Sequence, residues 1–180
     1  MLPSRRRLLR VLLWSGAWAG WVARGGRLGA AEPAGEKKPA RGKVILTVSG
    51  LIRKPGAGGK AEFDMAALER LKQHSFSTKT PWHEKPRKFT GPRLRDLLAE
   101  VGAEGKMLRA IALNDYRVEI PVEDATKYDM IVARLMDDRP MPVRDKGPLF
   151  ILYPFDAWPE LQSALYYSRA AWQLKAIEVY

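Results

Sequence analysis

The 180-residue chain has no cysteine. That absence excludes disulfides, iron–sulfur clusters, thiolate metal ligands and cysteine nucleophiles. Histidine is almost as scarce. His74 and His83 are the only two, too few for a histidine-rich zinc site. No nucleophile motif flanks either one, so a Ser-His-Asp set is not legible. A phosphate-cradling loop is also missing, because Gly56 to Gly59 lacks the strand-to-helix setting such loops need. The apolar run Val11 to Ala23 is 13 residues long, whereas a bilayer core takes about 20. There is no internal repeat.

What is present begins with an export signal. Arg5, Arg6, Arg7 and Arg10 form a positive region ahead of that short apolar run, and Gly29, Ala30 and Ala31 offer the small residues a signal peptidase requires. Arg24 and Arg27 interrupt the apolar character after Ala23. The expectation is cleavage near Ala30 or Ala31 and a mature protein that does not span a membrane. The run Ser4 to Arg10 also resembles a twin-arginine signal, with Leu8 and Arg10 in place of the usual Phe and Lys; an ordinary secretory signal explains it equally well. The expected location is periplasmic or secreted. Of the 31 basic residues, six lie in residues 1–31, where there is no acid; this leaves 25 against 20 acids, a net +5. Such a surface attracts anions mildly and gives little support to nucleic-acid binding, which export also disfavours.

Residues 32–42 are rich in Glu, Lys, Pro, Gly and Ala and read as a disordered tether. Residues 43–180 suit one domain, long enough to bury about 70% of the unfolded surface. Val44 to Val48 reads as a strand closing at Gly50, and Arg53 to Lys60 as a loop. Asp64 is placed to cap a helix over Met65 to Leu71. His74 to Trp82 reads as a strand, and Glu84 to Lys88 as a polar surface loop. Leu94, Leu97, Leu98 and Val101 fall at i, i+3, i+4 and i+7 and predict a helix over Arg93 to Val101, ended by Gly102. Leu108 to Leu113 and Tyr116 to Ile120 form a hairpin about Asn114-Asp115. A turn or short helix follows over Pro121 to Ala125, then a strand over Ile131 to Met136 and a turn at Asp137-Asp138. Leu149 to Tyr153 reads as a central apolar strand, Phe155 to Arg169 as an irregular stretch, and Trp172 to Val179 as the last strand. Many short strands with few helices predict an α+β domain.

The order of landmarks carries more. Val48-Ser49-Gly50-Leu51 is followed by the Phe63-Asp64 helix unit and by Phe89-Thr90-Gly91-Pro92-Arg93-Leu94-Arg95-Asp96-Leu97-Leu98. Asp115-Tyr116, Ile120-Pro121, Arg139-Pro140-Met141-Pro142, Lys146-Gly147-Pro148-Leu149, Tyr153-Pro154 and Trp172 to Val179 complete the series. In this order the chain resembles the sulfite-oxidase-type molybdopterin-binding domain family over residues 43–180. The resemblance implies an α+β fold of mixed, mostly antiparallel sheets with short helices, and a pterin-sized cleft. In the family's enzymes the cleft holds molybdenum through the pterin dithiolene and one protein cysteine, which lies shortly before the aromatic-Thr-Gly motif.

At the matching place this chain reads Ser77-Thr78-Lys79-Thr80-Pro81-Trp82. Thr78 is nearest to the ligand position and Thr80 is close by. A threonine hydroxyl is neutral and hard, unlike the soft thiolate that suits a high-valent metal. It can hydrogen-bond a phosphate, a pterin or a substrate oxygen, or simply serve a strand. No cofactor is therefore expected, although molybdopterin is what the family implies.

The candidate ligand cleft comprises Thr78, Thr80, Trp82, Asn114, Tyr116, Gly147, Tyr153 and Arg169. Trp82 offers a stacking face, with plain loop placement as the alternative. Asn114 matches a region near the family's cofactor, and a hairpin turn also accounts for it. Tyr116 closes the cleft or packs in the core. Gly147 permits close backbone approach, as a turn would too. Tyr153, with Pro154, shapes a loop facing the cleft, and Arg169 lies with Asp156, Trp158, Tyr166 and Tyr167 in the segment Phe155 to Arg169, which suits a partner, a ring-shaped ligand, or a lid on the core.

Three functions follow. The first is a non-catalytic binding or sensing module for a small anionic or planar ligand. The second is a molybdopterin-dependent oxidoreductase with a non-thiolate metal shell, and the third an adaptor for a membrane-associated signalling or redox partner.

Overall fold

The computed structural model describes residues 42–180. The expected signal peptide and nearly all of the expected tether lie outside them. Eleven strands and four α-helices follow one another among the described residues. They are β1 (Leu46–Gly50), β2 (Ala61–Phe63), α1 (Met65–Arg70), β3 (Gln73–Thr80), β4 (His83–Pro92), α2 (Leu94–Val101), β5 (Met107–Ala112), β6 (Arg117–Pro121), α3 (Val122–Lys127), β7 (Ile131–Ala133), β8 (Leu135–Met136), β9 (Arg139–Pro140), β10 (Phe150–Leu152), α4 (Ala164–Arg169) and β11 (Leu174–Val179).

Three sheets organise these elements. A five-stranded sheet runs β2-β1-β11-β5-β6. Within it β1 and β11 pair in parallel, Thr47 opposite Ala176, and the other pairs are antiparallel. A four-stranded antiparallel sheet runs β3-β4-β8-β9, and β7 pairs with β10. The fold is the expected α+β architecture. Its core is where period-2 and period-3.6 patterns face one another. Leu108, Ala110 and Ala112 alternate inward along β5, Leu174, Ile177 and Val179 point in from β11, and the α2 stripe Leu94, Leu97, Leu98 and Val101 is buried. Each such leucine contributes about 2 kcal/mol on burial.

Local chemistry sets the boundaries. Asp64 accepts the Ala67 amide at 2.7 Å and so caps α1. Gly102 takes φ 64° and closes α2. Asp137 and Asp138 both adopt positive φ, 50° and 61°, and turn β8 into β9.

Four readings change. Glu84 to Lys88 belongs to strand β4. The β3–β4 hairpin exposes these residues in succession, so no hydrophobic alternation marks them, and cross-strand pairing defines the strand. Ile131 to Met136 splits at Arg134 into β7 and β8, which serve different sheets. The apolar strand β10 is fully buried yet, among the described residues, pairs only with β7 and through a bridge from Phe150 to Trp172; the strand central to the large sheet is β11. Phe155 to Arg169 is not wholly irregular, since it contains a 3-10 turn at Pro159–Leu161 and α4.

Candidate functional site

Pro81 and Trp82 form the two-residue turn of the β3–β4 hairpin, closed by the pair Thr80 and His83. The Thr80 hydroxyl accepts the Trp82 amide at 3.3 Å and meets His83 Nδ1 at 2.7 Å. Burial, and then the charges of Lys146 and Arg87, lower the His83 pKa. A neutral ring accepting from the Thr80 hydroxyl at Nδ1 fits this geometry.

This turn aims Trp82 at the start of β11. Its indole packs edge-on against Trp172, with centroids 4.9 Å apart and an interplanar angle of 83°, and tilts against buried Phe150 at 5.7 Å. Trp82 and Trp172 line a cleft of about 310 Å³ with Asn114, Tyr116, Tyr167 and Ser168. The β5–β6 turn supplies Asn114, whose side-chain oxygen accepts the Tyr116 amide at 3.2 Å. The Tyr116 hydroxyl donates to the Ser168 carbonyl at 3.0 Å and straps β6 to the end of α4. Tyr167 packs edge-to-face on Phe155 at 5.0 Å. A second, more polar cleft of about 540 Å³ also borders Trp82, lined by His83, Lys85, Arg87 and Asp137 among others.

Of the candidate residues, Trp82, Asn114 and Tyr116 meet in the first cleft. The other five line neither cleft. Thr78 is buried, 1% exposed; its hydroxyl accepts the Asp156 amide at 3.1 Å and lies 3.2 Å from the Lys79 carbonyl, to which it donates. Asp156 in turn accepts the Lys79 amide at 2.7 Å. Thr80 is consumed by its own turn. Gly147 is needed by the chain itself, because a Cβ there would meet the Met141 carbonyl oxygen at 1.8 Å. Tyr153 is fully buried and donates to Asp124 at 2.8 Å. Burial and the Asp124 charge push its pKa far up, so it acts as a neutral donor. Arg169 turns inward to Asp124 at 2.9 Å. Tyr153 and Arg169 thus satisfy one buried carboxylate.

Trp172, Tyr167 and Lys146 were not among the candidates. The sequence signals were there. Trp172 carries a large aromatic into the last strand, and Lys146 opens a Lys-Gly-Pro turn. The Lys146 ammonium sits 4.5 Å from the Trp172 ring centre and 5.6 Å from that of Trp82.

The oxidoreductase molybdopterin binding domain family matches this chain over residues 40–155. The chain belongs to that family. Its fold is similar to the sulfane dehydrogenase SoxCD from Paracoccus pantotrophus, with a TM-score of 0.59 at 16% identity. That likeness covers 76% of this chain and 38% of the SoxCD chain, so this chain spans well under half of that protein. No curated protein matches.

The molybdenum of this family does not fit the donors found here. Thr78, which the resemblance sets nearest to the family's thiolate, offers a hydroxyl that already accepts and donates internal hydrogen bonds. Among the described residues no three His, Asp or Glu side chains gather as metal ligands, and there is no thiol to replace them.

Proposed function

We propose that this family member is exported by residues 1–31, with residues 32–42 as a tether, and works in the periplasm as a non-catalytic ligand-binding or sensing module. The observation that carries the reading is Thr78. The hydroxyl is buried and its hydrogen bonds are spent on Asp156 and Lys79, so the place that anchors a metal in the family's enzymes here anchors the fold. The aromatic cleft at Trp82 and Trp172 is a preformed hollow with few polar groups, the usual character of a small-molecule site. Among the described residues no helix is long and apolar enough to cross a membrane.

The family and the likeness to a sulfane dehydrogenase favour a second reading, a molybdopterin-dependent oxidoreductase with an oxygen-donor shell. The neutral, engaged Thr78 weighs against it. The full chain recovered from its native periplasm separates the two. We expect a mature N-terminus near residue 31 and molybdenum far below one equivalent by elemental analysis. One equivalent of molybdenum with a redox-active spectrum overturns the binding-module reading.

A further inference from the structure

We infer that the aromatic cleft takes a flat organic anion, a small ring system bearing one carboxylate-type charge, with Lys146 as its counter-charge. This deepens the binding-module reading and rests on it.

Shape comes first. Trp82 and Trp172 stand nearly perpendicular and form a corner. Tyr116 and Tyr167 extend the aromatic lining. Each ring has a partner that holds it: Phe150 for Trp82 and Trp172, the Ser168 carbonyl for the Tyr116 hydroxyl and Phe155 for Tyr167. Fixed walls lose little entropy when a ligand arrives. A hollow of about 310 Å³ lies at the small end of ligand sites and suits one or two fused rings. Such rings gain from offset or edge contacts with these indoles and phenols.

Charge selects among flat ligands. Among the described residues no Asp or Glu lines this cleft. The nearby cation is Lys146, within 6 Å of both indole centres. Among the described residues its ammonium pairs with no carboxylate, whereas Arg87, Lys88 and Lys175 are each engaged by an aspartate. Its backbone is fixed, because the Lys146 carbonyl accepts the Gln173 amide at 2.9 Å. A cationic ligand would meet an uncompensated like charge beside two indoles that Lys146 already faces. A neutral ring would leave that charge unused. An anion gains from it, and the low-dielectric aromatic wall strengthens the attraction.

The full mature chain is titrated calorimetrically with three naphthalene probes of matched shape: 1-naphthoate, 1-naphthalenemethanol and (1-naphthylmethyl)trimethylammonium. We expect naphthoate to bind tightest and the ammonium weakest. Lys146→Met should weaken naphthoate about tenfold and leave the alcohol unchanged, while Trp172→Ala weakens both. Lys146→Glu, a partly exposed change that spares the core, should reverse the order of naphthoate and ammonium. Equal affinity for all three probes, or naphthoate binding indifferent to Lys146→Met, overturns the inference. If the alcohol still binds and loses affinity in Trp172→Ala, the binding-module reading survives that failure. No binding of any probe by protein with a native near-ultraviolet spectrum also overturns the inference. Stoichiometric molybdenum, by contrast, ends the binding-module reading itself.

Discussion

Gly91 shows how much a single position explains. A Cβ there would lie 2.0 Å from the Val132 carbonyl oxygen, so the aromatic-Thr-Gly signature is a packing requirement of β4 against β7. Asp124 is the polar counterpart. Its carboxylate is 10% exposed and takes both the Tyr153 hydroxyl and the Arg169 guanidinium on Oδ2. Breaking a buried pair costs more than losing one neutral donor. Arg169→Met should therefore destabilise the domain by about 3 kcal/mol, and Tyr153→Phe by about 1.5 kcal/mol, measured by urea unfolding. Equal effects would show that the carboxylate is held by solvent instead of by the arginine.

At the scale of elements, short pieces depend on their ends. The six-residue α1 is too short to persist alone, so its cap and packing decide it. Asp64 accepts the Ala67 amide with one oxygen and the Gly42 amide with the other, both at 2.7 Å. Asp64→Ala should cost about 1 kcal/mol in thermal or urea unfolding, with Asp64→Asn recovering part of it. An unchanged midpoint would mean that packing alone holds the helix. The α1 cap, the α2 stripe and the β5–β6 hairpin were legible because each rests on residues close in sequence. Strand β4 was not, since its polar residues Glu84 to Lys88 face water and cross-strand pairing, with β3 and at its end with β8, defines it.

For the molecule as a whole, acid stability follows from groups that resist or prefer charge. Burial, and then Arg93, lower the His74 pKa; burial, and then Lys146 and Arg87, lower that of His83. The unfolded chain thus binds protons more readily than the folded one, and stability falls as pH drops through about 6.5, the unfolded histidine value. Three carboxylates act lower on the scale. A hydrogen bond from Lys175 lowers Asp115, and bonds from Tyr180 and Arg109 lower Glu119. Partial burial alone would raise Asp137, but the Lys88 amide and Arg87 outweigh it. Their contribution holds above about pH 4 and is lost below it. The melting temperature should fall in two stages on acidification, and His83→Gln should shrink the upper one. A melting temperature that rises between pH 7.5 and 5.5 would contradict this assignment.

The family, the α+β class, the missing thiolate and the caps and stripes of individual elements could be read from the order of residues alone. These depend on residue identity and on neighbours a few positions away. Which aromatics share a cleft emerged from the folded arrangement. Trp82, Tyr116 and Trp172 come from a hairpin turn, the loop just before β6 and the entry to the last strand, and no local period links them. It also withdrew Tyr153 and Arg169 from the cleft, because a buried carboxylate 45 residues before Arg169 claims both. Long-range burial sets that claim, and it is settled only when the chain closes on itself.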